Sequence, residues 1–264
     1  MMISILLPSY KSEMLLSSIF WPGFEANSVL DSELIIYDNG GNGNSKSLAK
    51  EQNVKWIGDG NNVGLNCALN ECAKVASGDY FYLPHTDMYL MPGWDIFLLD
   101  ALKNKPPGKQ LLCSRSIEPI KGHTEFHIIK NYGMEWSEFR EEDLLYDFEN
   151  YNDNSIVSGY RMPFFMHRKL WEKMGGVDSN YHSYSTDDDL VQTAYDVGVR
   201  QFWMVNNSLV YHLQGKSNQQ QSVDRDSIKP YLYFINKWKK RGYEDAIHPG
   251  QWHPKLIPLY VRIK

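Results

Sequence analysis

Four short apolar runs, each closed by a proline or a turn-forming residue, set the tightest limit on how this chain can fold. Ile3 to Leu7 stops at Pro8, Leu34 to Asp38 at Asn39-Gly40, Val54 to Ile57 at Gly58, and Tyr80 to Leu83 at Pro84. Runs this short, without polar alternation, read as strands buried on both faces. Proline has no N–H for a ladder, so Pro8 and Pro84 mark strand ends. Between the runs, Met14 to Phe20, Ser45 to Gln52 (with Ser45 as N-cap) and Leu65 to Val75 read as helices. Strand–helix alternation of this kind predicts an α/β fold: a mostly parallel central sheet with helices on both faces.

Downstream, Trp94 to Leu102 reads as a helix and Leu111 to Ser114 as a strand. Within residues 118–158, Glu135 to Asn154 is acidic and aromatic, shows no clean period, and is expected to form a long excursion near the acceptor side. Arg161 to His167 then reads as a strand. Arg168 to Met174 reads as a helix stopped by Gly175-Gly176. A further helix opens at Asp187 or Asp188 and runs to Val197. Gln201 to Val205 and Ser208 to His212 read as two strands. Residues 214–227, rich in Gln, Ser and Asn, are expected to be a mobile loop. Pro230 to Lys240 is an amphipathic helix whose basic end, Lys237 to Arg241, is read as a solvated face, the alternative being contact with a lipid phosphate or a polyanion such as modified DNA. The tail, His248 to Lys264, is expected to pack back as an extended arm. The expected organisation is one domain over 1–213, with halves at 1–115 and 116–213, and residues 214–264 packed on it.

A chain of 264 residues can bury a substantial core. Its net charge of −5 argues against a binder held mainly by nucleic-acid phosphates, although a local basic groove is compatible with it. The 17 Tyr and 8 Trp suit flat ligands such as bases and sugars, and suit a core equally well. Three cysteines, Cys67, Cys72 and Cys113, lack metal-like spacing, which fits reduced thiols in a cytoplasmic setting. The apolar start is too short for a secretory signal, and no run approaches the ~20 apolar residues of a membrane span. A soluble, cytoplasmic protein is expected, unless a partner or a basic face holds it at a membrane.

The chemistry-bearing residues cluster at strand exits, where open α/β sheets bind ligands. Pro8-Ser9-Tyr10 leaves the first strand and Asp38 the second. An aromatic ring beside a carboxylate is a receptor for a nucleobase, the ring stacking and the carboxylate accepting an N–H. Asn61-Asn62-Val63-Gly64 leads into a helix bearing Asn70, and small residues there let backbone N–H groups face a phosphate. His85-Thr86-Asp87 leaves the fourth strand. His85 and Asp87, two apart, can share one cation or polar group. Thr186-Asp187-Asp188-Asp189 crowds three carboxylates at a helix start, a crowding that a cation, a hydroxyl or a shared proton relieves. His212 ends a late apolar strand and gains weight if it faces Asp87.

Taken in order, these pieces resemble a family 2-type glycosyltransferase of GT-A fold. The likeness runs from Ile5-Leu6-Leu7-Pro8-Ser9-Tyr10 through Ile35-Ile36-Tyr37-Asp38-Asn39-Gly40 and Asn62-Val63-Gly64 with Asn70 to Gly78-Asp79 and His85-Thr86-Asp87. It continues in Trp171 to Asp178, Asp187-Asp188-Asp189-Leu190 and His212. The resemblance implies an inverting, metal-dependent hexosyl- or pentosyltransferase. A nucleoside-diphosphate sugar would be the donor, and a glycan or other hydroxyl the acceptor. It implies that Pro8, Ser9, Tyr10 and Asp38 bind base and ribose. Asn62, Gly64 and Asn70 would lie near ribose, diphosphate or packed helix, with His85, Thr86 and Asp87 at the family's Asp-x-Asp triplet. Asp87 and His212 would hold a divalent cation. Asp187 would be the catalytic base, with Asp188 the runner-up.

Two departures stand out. His85 replaces the first Asp of the triplet, and Thr186 replaces the usual Glu before the base, which leaves Asp189 or a water to tune it. With a His ligand, Mn²⁺ is preferred over Mg²⁺. UDP is the preferred leaving group because Asp38 suits the uracil imide; GDP and dTDP remain open. Residues 135–154 and 214–227 would be an acceptor wall and a lid. Two other classes compete: a non-catalytic nucleotide-sugar- or glycan-binding module of the same fold, favoured by His85, and a nucleotidyltransferase. The latter would want a Gly-rich basic loop after the first strand, where the chain has Ser9-Tyr10-Lys11-Ser12-Glu13. A nucleic-acid acceptor is disfavoured by the charge.

Overall fold

The structure, a computed structural model, describes residues 1–41, 43–51, 53–120, 127–151, 153–182, 185–214 and 229–242. The expected lid and C-terminal arm fall outside these residues, except for Gln214. Ten strands form one sheet: β1 (Ile3–Ser9), β2 (Ser32–Asp38), β3 (Val54–Ile57), β4 (Tyr80–Leu83), β5 (Met88–Leu90), β6 (Gln110–Glu118), β7 (Ile128–Ile129), β8 (Ile156–Ser158), β9 (Phe164–His167) and β10 (Gln201–His212). The order is β3-β2-β1-β4-β9-β6-β10-β5, with β7 beside β6 and β8 beside β10. The α-helices are α1 (Glu13–Leu15), α2 (Trp21–Asn27), α3 (Leu65–Val75), α4 (Trp94–Leu102), α5 (Glu141–Asp147), α6 (Arg168–Met174), α7 (Thr186–Asp196) and α8 (Lys229–Lys240).

The first four runs form the parallel part, with β1 between β2 and β4. Ile5, Leu6, Leu7, Leu34, Ile35, Ile36 and Leu83 are fully buried, as strands covered on both faces require. Past β4 the sheet becomes mixed: β9 runs antiparallel between β4 and β6, and β5 and β8 run antiparallel to β10.

Several local expectations need correction. The first helix continues past Phe20: a π-helical turn, Leu16–Phe20, links α1 to α2. Pro22 falls in the first turn of α2, directly after the π-helical turn. Gly23 lets this helix touch β5, since a Cβ there would lie 2.7 Å from the Leu90 backbone nitrogen. Residues Gly43–Lys50 form a 3₁₀ run, and Ser45 donates to the Glu13 carbonyl (3.2 Å). The strand expected over 161–167 begins only at Phe164, and the excursion holds β7, α5 and β8.

The two late strands are one, β10, with a bulge between Val205 and Leu209. Its polar residues are paired: Asn206 Nδ2 donates to Asp153 Oδ2 (2.8 Å), and Asn207 Oδ1 accepts from the Asp153 backbone (2.6 Å). The bulge bends the strand, and β5 replaces β8 as its antiparallel neighbour beyond it. No helix among the described residues is long and apolar enough to cross a membrane.

Candidate functional site

Because β1, β2, β4, β6 and β10 run in the same direction, their carboxyl ends share one edge of the sheet. Ser9-Tyr10, Asp38, His85-Thr86-Asp87, Glu118 and His212 all leave from that edge. Pro8 and Ser9 pair in register with Tyr37 and Asp38, so Tyr10 and Asp38 emerge side by side. Asp38 Oδ1 accepts from the Gly40 amide (3.1 Å), and Lys11 N donates to the Gly40 carbonyl (2.7 Å). Gly40 (φ +128°) lies flat on the Tyr10 ring, where a Cβ would come within 3.2 Å of it. The buried Ser9 hydroxyl is 2.9 Å from that of Ser12 and braces the same turn.

Asn62 is exposed and accepts from the Gly64 amide (3.0 Å), while buried Asn39 anchors the same loop through the Val63 amide (2.8 Å). Gly64 (φ +84°) packs on His182, with room for no Cβ: one would lie 2.7 Å from His182 Nδ1. Asn70 clamps the loop after α6, accepting from Val177 N (3.0 Å) and donating to Val177 O (2.7 Å).

The densest chemistry lies between the ends of β4 and β10. The Leu213 amide donates to the Asp87 carbonyl (3.0 Å), tying the His85-Thr86-Asp87 turn to the end of β10. His85, Asp87 and His212 each offer a ligand atom, and the three atoms lie within 4.8 Å of one another. His212 Nε2 is 3.6 Å from Asp87 Oδ2, and the ring centroids of His85 and His212 are 6.4 Å apart. Thr86 and Asp87 are fully buried. Burial alone would lower His212, but the carboxylates of Asp87 and Glu118 push it up to about 10. Burial lowers His85, offset in part by the charges of Asp87 and Asp187.

Glu118 was not among the sequence candidates. It stands at the end of β6, with Oε1 3.0 Å from His212 Nδ1 and Oε2 2.9 Å from His127 Nδ1. Burial works against its ionisation, yet the two imidazoles hold it down at about 2. The strand-exit rule that singled out Asp38 and Asp87 would have found it, had the strand not been ended at Ser114.

Asp187 and Asp188 open α7. The helix start is tied to α3 by Thr186 Oγ1, which donates to Asn66 Oδ1 (2.8 Å). Asp187 lies within electrostatic range of His85. Burial, then the Asp187 charge, pushes Asp188 up to about 7 against the pull of Arg161. Asp189 adds a smaller charge effect to Asp188. It is buried and turned away, bonded to Lys237 Nζ (2.6 Å), Trp238 Nε1 (2.9 Å) and the Tyr181 hydroxyl (3.1 Å). Lys237 is correspondingly not a solvated cation but a half-buried partner of Asp178 and Asp189.

Residues 4–175 match the family described as glycosyl transferase family 2. The chain belongs to that family. The matched span contains Tyr10, Asp38 and the His85-Thr86-Asp87 turn, whereas α7 and His212 lie beyond it. No curated protein matches the sequence. Among solved structures, GalNAc-T7 with UDP, GalNAc and Mn²⁺ superposes with a TM-score of 0.61 at 14% identity, over 98% of this chain and 57% of that one. The chain thus spans little more than half of that neighbour. S. aureus TarS 1-349 gives 0.59 at 10% identity, over 100% of this chain and 79% of that one. TarS in complex with UDP-GlcNAc gives 0.58 at 10% identity, with the same coverage. The chain therefore has the mixed α/β GT-A fold, its large sheet flanked by helices.

Proposed function

We propose that this protein transfers a sugar from a nucleoside-diphosphate sugar, with UDP as preferred leaving group, to a hydroxyl of a glycan or other acceptor, inverting the anomeric carbon. One observation carries the reading: His85, Asp87 and His212 bring ligand atoms within 4.8 Å of one another at the edge where Tyr10 and Asp38 also emerge. Two imidazoles and a carboxylate form a mixed nitrogen–oxygen donor set, which fits Mn²⁺ better than Mg²⁺. The UDP, UDP-GlcNAc and Mn²⁺ of the structural neighbours support the same choice. A divalent cation on these three residues would supply Lewis-acid neutralisation of the diphosphate charge.

The chain's own residues do the rest. The Tyr10 ring stacks on the base, and Asp38 accepts its imide N–H; Pro8 and Ser9 shape that pocket. Asn62 and Gly64 carry backbone toward the ribose and diphosphate, Asn70 holds the α6 loop in place, and Thr86 packs beneath the ligand turn. Asp187 takes the acceptor hydroxyl's proton as its oxygen attacks the anomeric carbon. The bond from that carbon to the diphosphate oxygen breaks, and its electrons leave with the nucleoside diphosphate. With no second carboxylate assigned to the reacting carbon, single displacement follows. Asp188 is the alternative base, because an acid near neutrality suits that task. Residues 1–213 would form the catalytic unit, with α8 packed on it.

The test is incubation with UDP-GlcNAc, UDP-glucose and GDP-sugars plus Mn²⁺. Release of nucleoside diphosphate, slow without acceptor, is expected, with inverted configuration in any product by NMR. Release of pyrophosphate in a parallel incubation with a nucleoside triphosphate and a sugar 1-phosphate would mark a nucleotidyltransferase. Donor binding without turnover over any acceptor panel would mark a binding module.

A further inference from the structure

We propose that Glu118 is a positioning residue that presents His212 as a nitrogen ligand, an inference that rests on the cation site proposed above. Glu118 is 3% exposed. Its two oxygens are both engaged: Oε1 lies 3.0 Å from His212 Nδ1, and Oε2 lies 2.9 Å from His127 Nδ1 and accepts from Gln214 Nε2 at 3.2 Å. An ionised carboxylate only accepts, so the proton between Glu118 and His212 sits on Nδ1. That fixes the Nδ1 proton, so that a cation displacing the Nε2 proton would meet the His212 Nε2 lone pair on the side of Asp87, 3.6 Å away. A half-turn of the ring would break the Glu118 bond, so the carboxylate locks orientation as well as tautomer.

The backbone makes this arrangement a consequence of register. β6 and β10 are parallel and pair Ile117 with Tyr211, which brings the next residues, Glu118 and His212, to the same level. The other oxygen ties in the start of the excursion. His127 directly precedes β7, which pairs with β6, and the Lys130 amide donates to the Glu118 carbonyl (3.0 Å). Glu118 therefore joins the ligand turn to the chain segment leading toward α5.

The test is Mn²⁺ titration of wild type and Glu118→Gln, followed by the loss of the free-ion EPR signal, with and without UDP. The expected result is a dissociation constant for Mn²⁺ raised about 10- to 100-fold. UDP binding without metal should be unchanged, and turnover should recover in part at saturating Mn²⁺. A purely structural role would lower thermal stability but leave the Mn²⁺ affinity of the folded protein alone. A folded Glu118→Gln protein that binds Mn²⁺ as wild type does would overturn the inference. If that variant does not fold, Glu118→Asp, which keeps the charge but shortens its reach, is read by the same criterion. Wild type and Asp87→Asn separate the two levels. If wild type binds UDP but no Mn²⁺, the cation site falls and this inference with it. If wild type binds Mn²⁺ and Asp87→Asn does not, the site stands and the Glu118 variants alone decide.

Discussion

Lys237 of α8 places its Nζ 2.6 Å from Asp189 Oδ2 on α7, and 2.9 Å from Asp178 Oδ2. The other oxygen of Asp189 accepts from Trp238 Nε1. Successive helical residues are turned by about 100°, so three adjacent aspartates cannot share one face. The run is divided in this way: Asp187 lies within reach of His85, Asp188 is flanked by Asp187 and Arg161, and Asp189 fastens α8 through a small core of Tyr181, Phe234 and Trp238.

Lys237→Met should therefore destabilise the protein markedly, because it leaves Asp178 and Asp189 facing each other without a cation. Breaking a buried pair from one side costs about 3–5 kcal/mol, and some of this will be recovered where the site is reached by water. Asp189→Asn should cost less, since Lys237 keeps Asp178. Urea unfolding followed by tryptophan fluorescence measures both, and equal losses would contradict this account.

Removing a ligand should separate metal dependence from nucleotide recognition. Asp87→Asn and His212→Ala are expected to lower kcat by about 10³, in line with the several kcal/mol of charge stabilisation a cation supplies. Calorimetry should show UDP binding that no longer responds to Mn²⁺. Tyr10→Ala should do the reverse, weakening UDP with Mn²⁺ absent or present.

The two candidate bases can be told apart kinetically. Asp187→Asn should reduce kcat by about 10²–10⁴ at nearly unchanged donor affinity, the usual contribution of a general base. Asp188→Asn should do less. The opposite ranking would move the base one residue along α7.

Asp188 also gives stability a pH dependence of defined sign. Its folded-state value, about 7, lies above the ordinary 3.8, so the folded protein holds a proton that the unfolded chain releases. Its contribution is complete below the ordinary value and is lost as pH rises toward neutrality and past it. Chemical denaturation of wild type and Asp188→Asn from acid to mildly alkaline pH checks this. The variant should gain on wild type as pH rises, and a constant difference would refute it.

Gly64→Ala should destabilise although it adds only a methyl group. The positive φ and the His182 contact both oppose it, a combination costing about 1–3 kcal/mol. Denaturant midpoints measure the loss.

The sequence was most informative where a strand is covered on both faces. β1, β2 and β4 announce themselves as apolar runs, and their exits mark the ligand edge directly. Strands of two or three residues, such as β5, β7 and β8, carry too little pattern to be seen. β10 looked like two strands because Asn206 and Asn207 interrupt it, and their partners Asp153 and Asn154 lie far away in sequence. Glu118 was missed because the strand was ended at Ser114, and both it and Lys237 look solvated until a tertiary partner is known. For Glu118 that partner is a histidine 94 residues later. For Lys237 it is an aspartate 48 residues earlier.

The reversed direction of β9 has a geometric consequence. Every parallel strand brings its last residues to the ligand edge, whereas β9 brings its first, since Phe164 pairs with Leu83 at the exit of β4. The segment leading into β9 is thereby delivered to the rim of the cleft, and Arg161 with it. The positive charge that tempers Asp188 comes from that inbound segment. One antiparallel insertion thus brings a cation beside the outgoing carboxylates and imidazoles of the rim, and the acidity of α7's opening depends on which way a single strand travels.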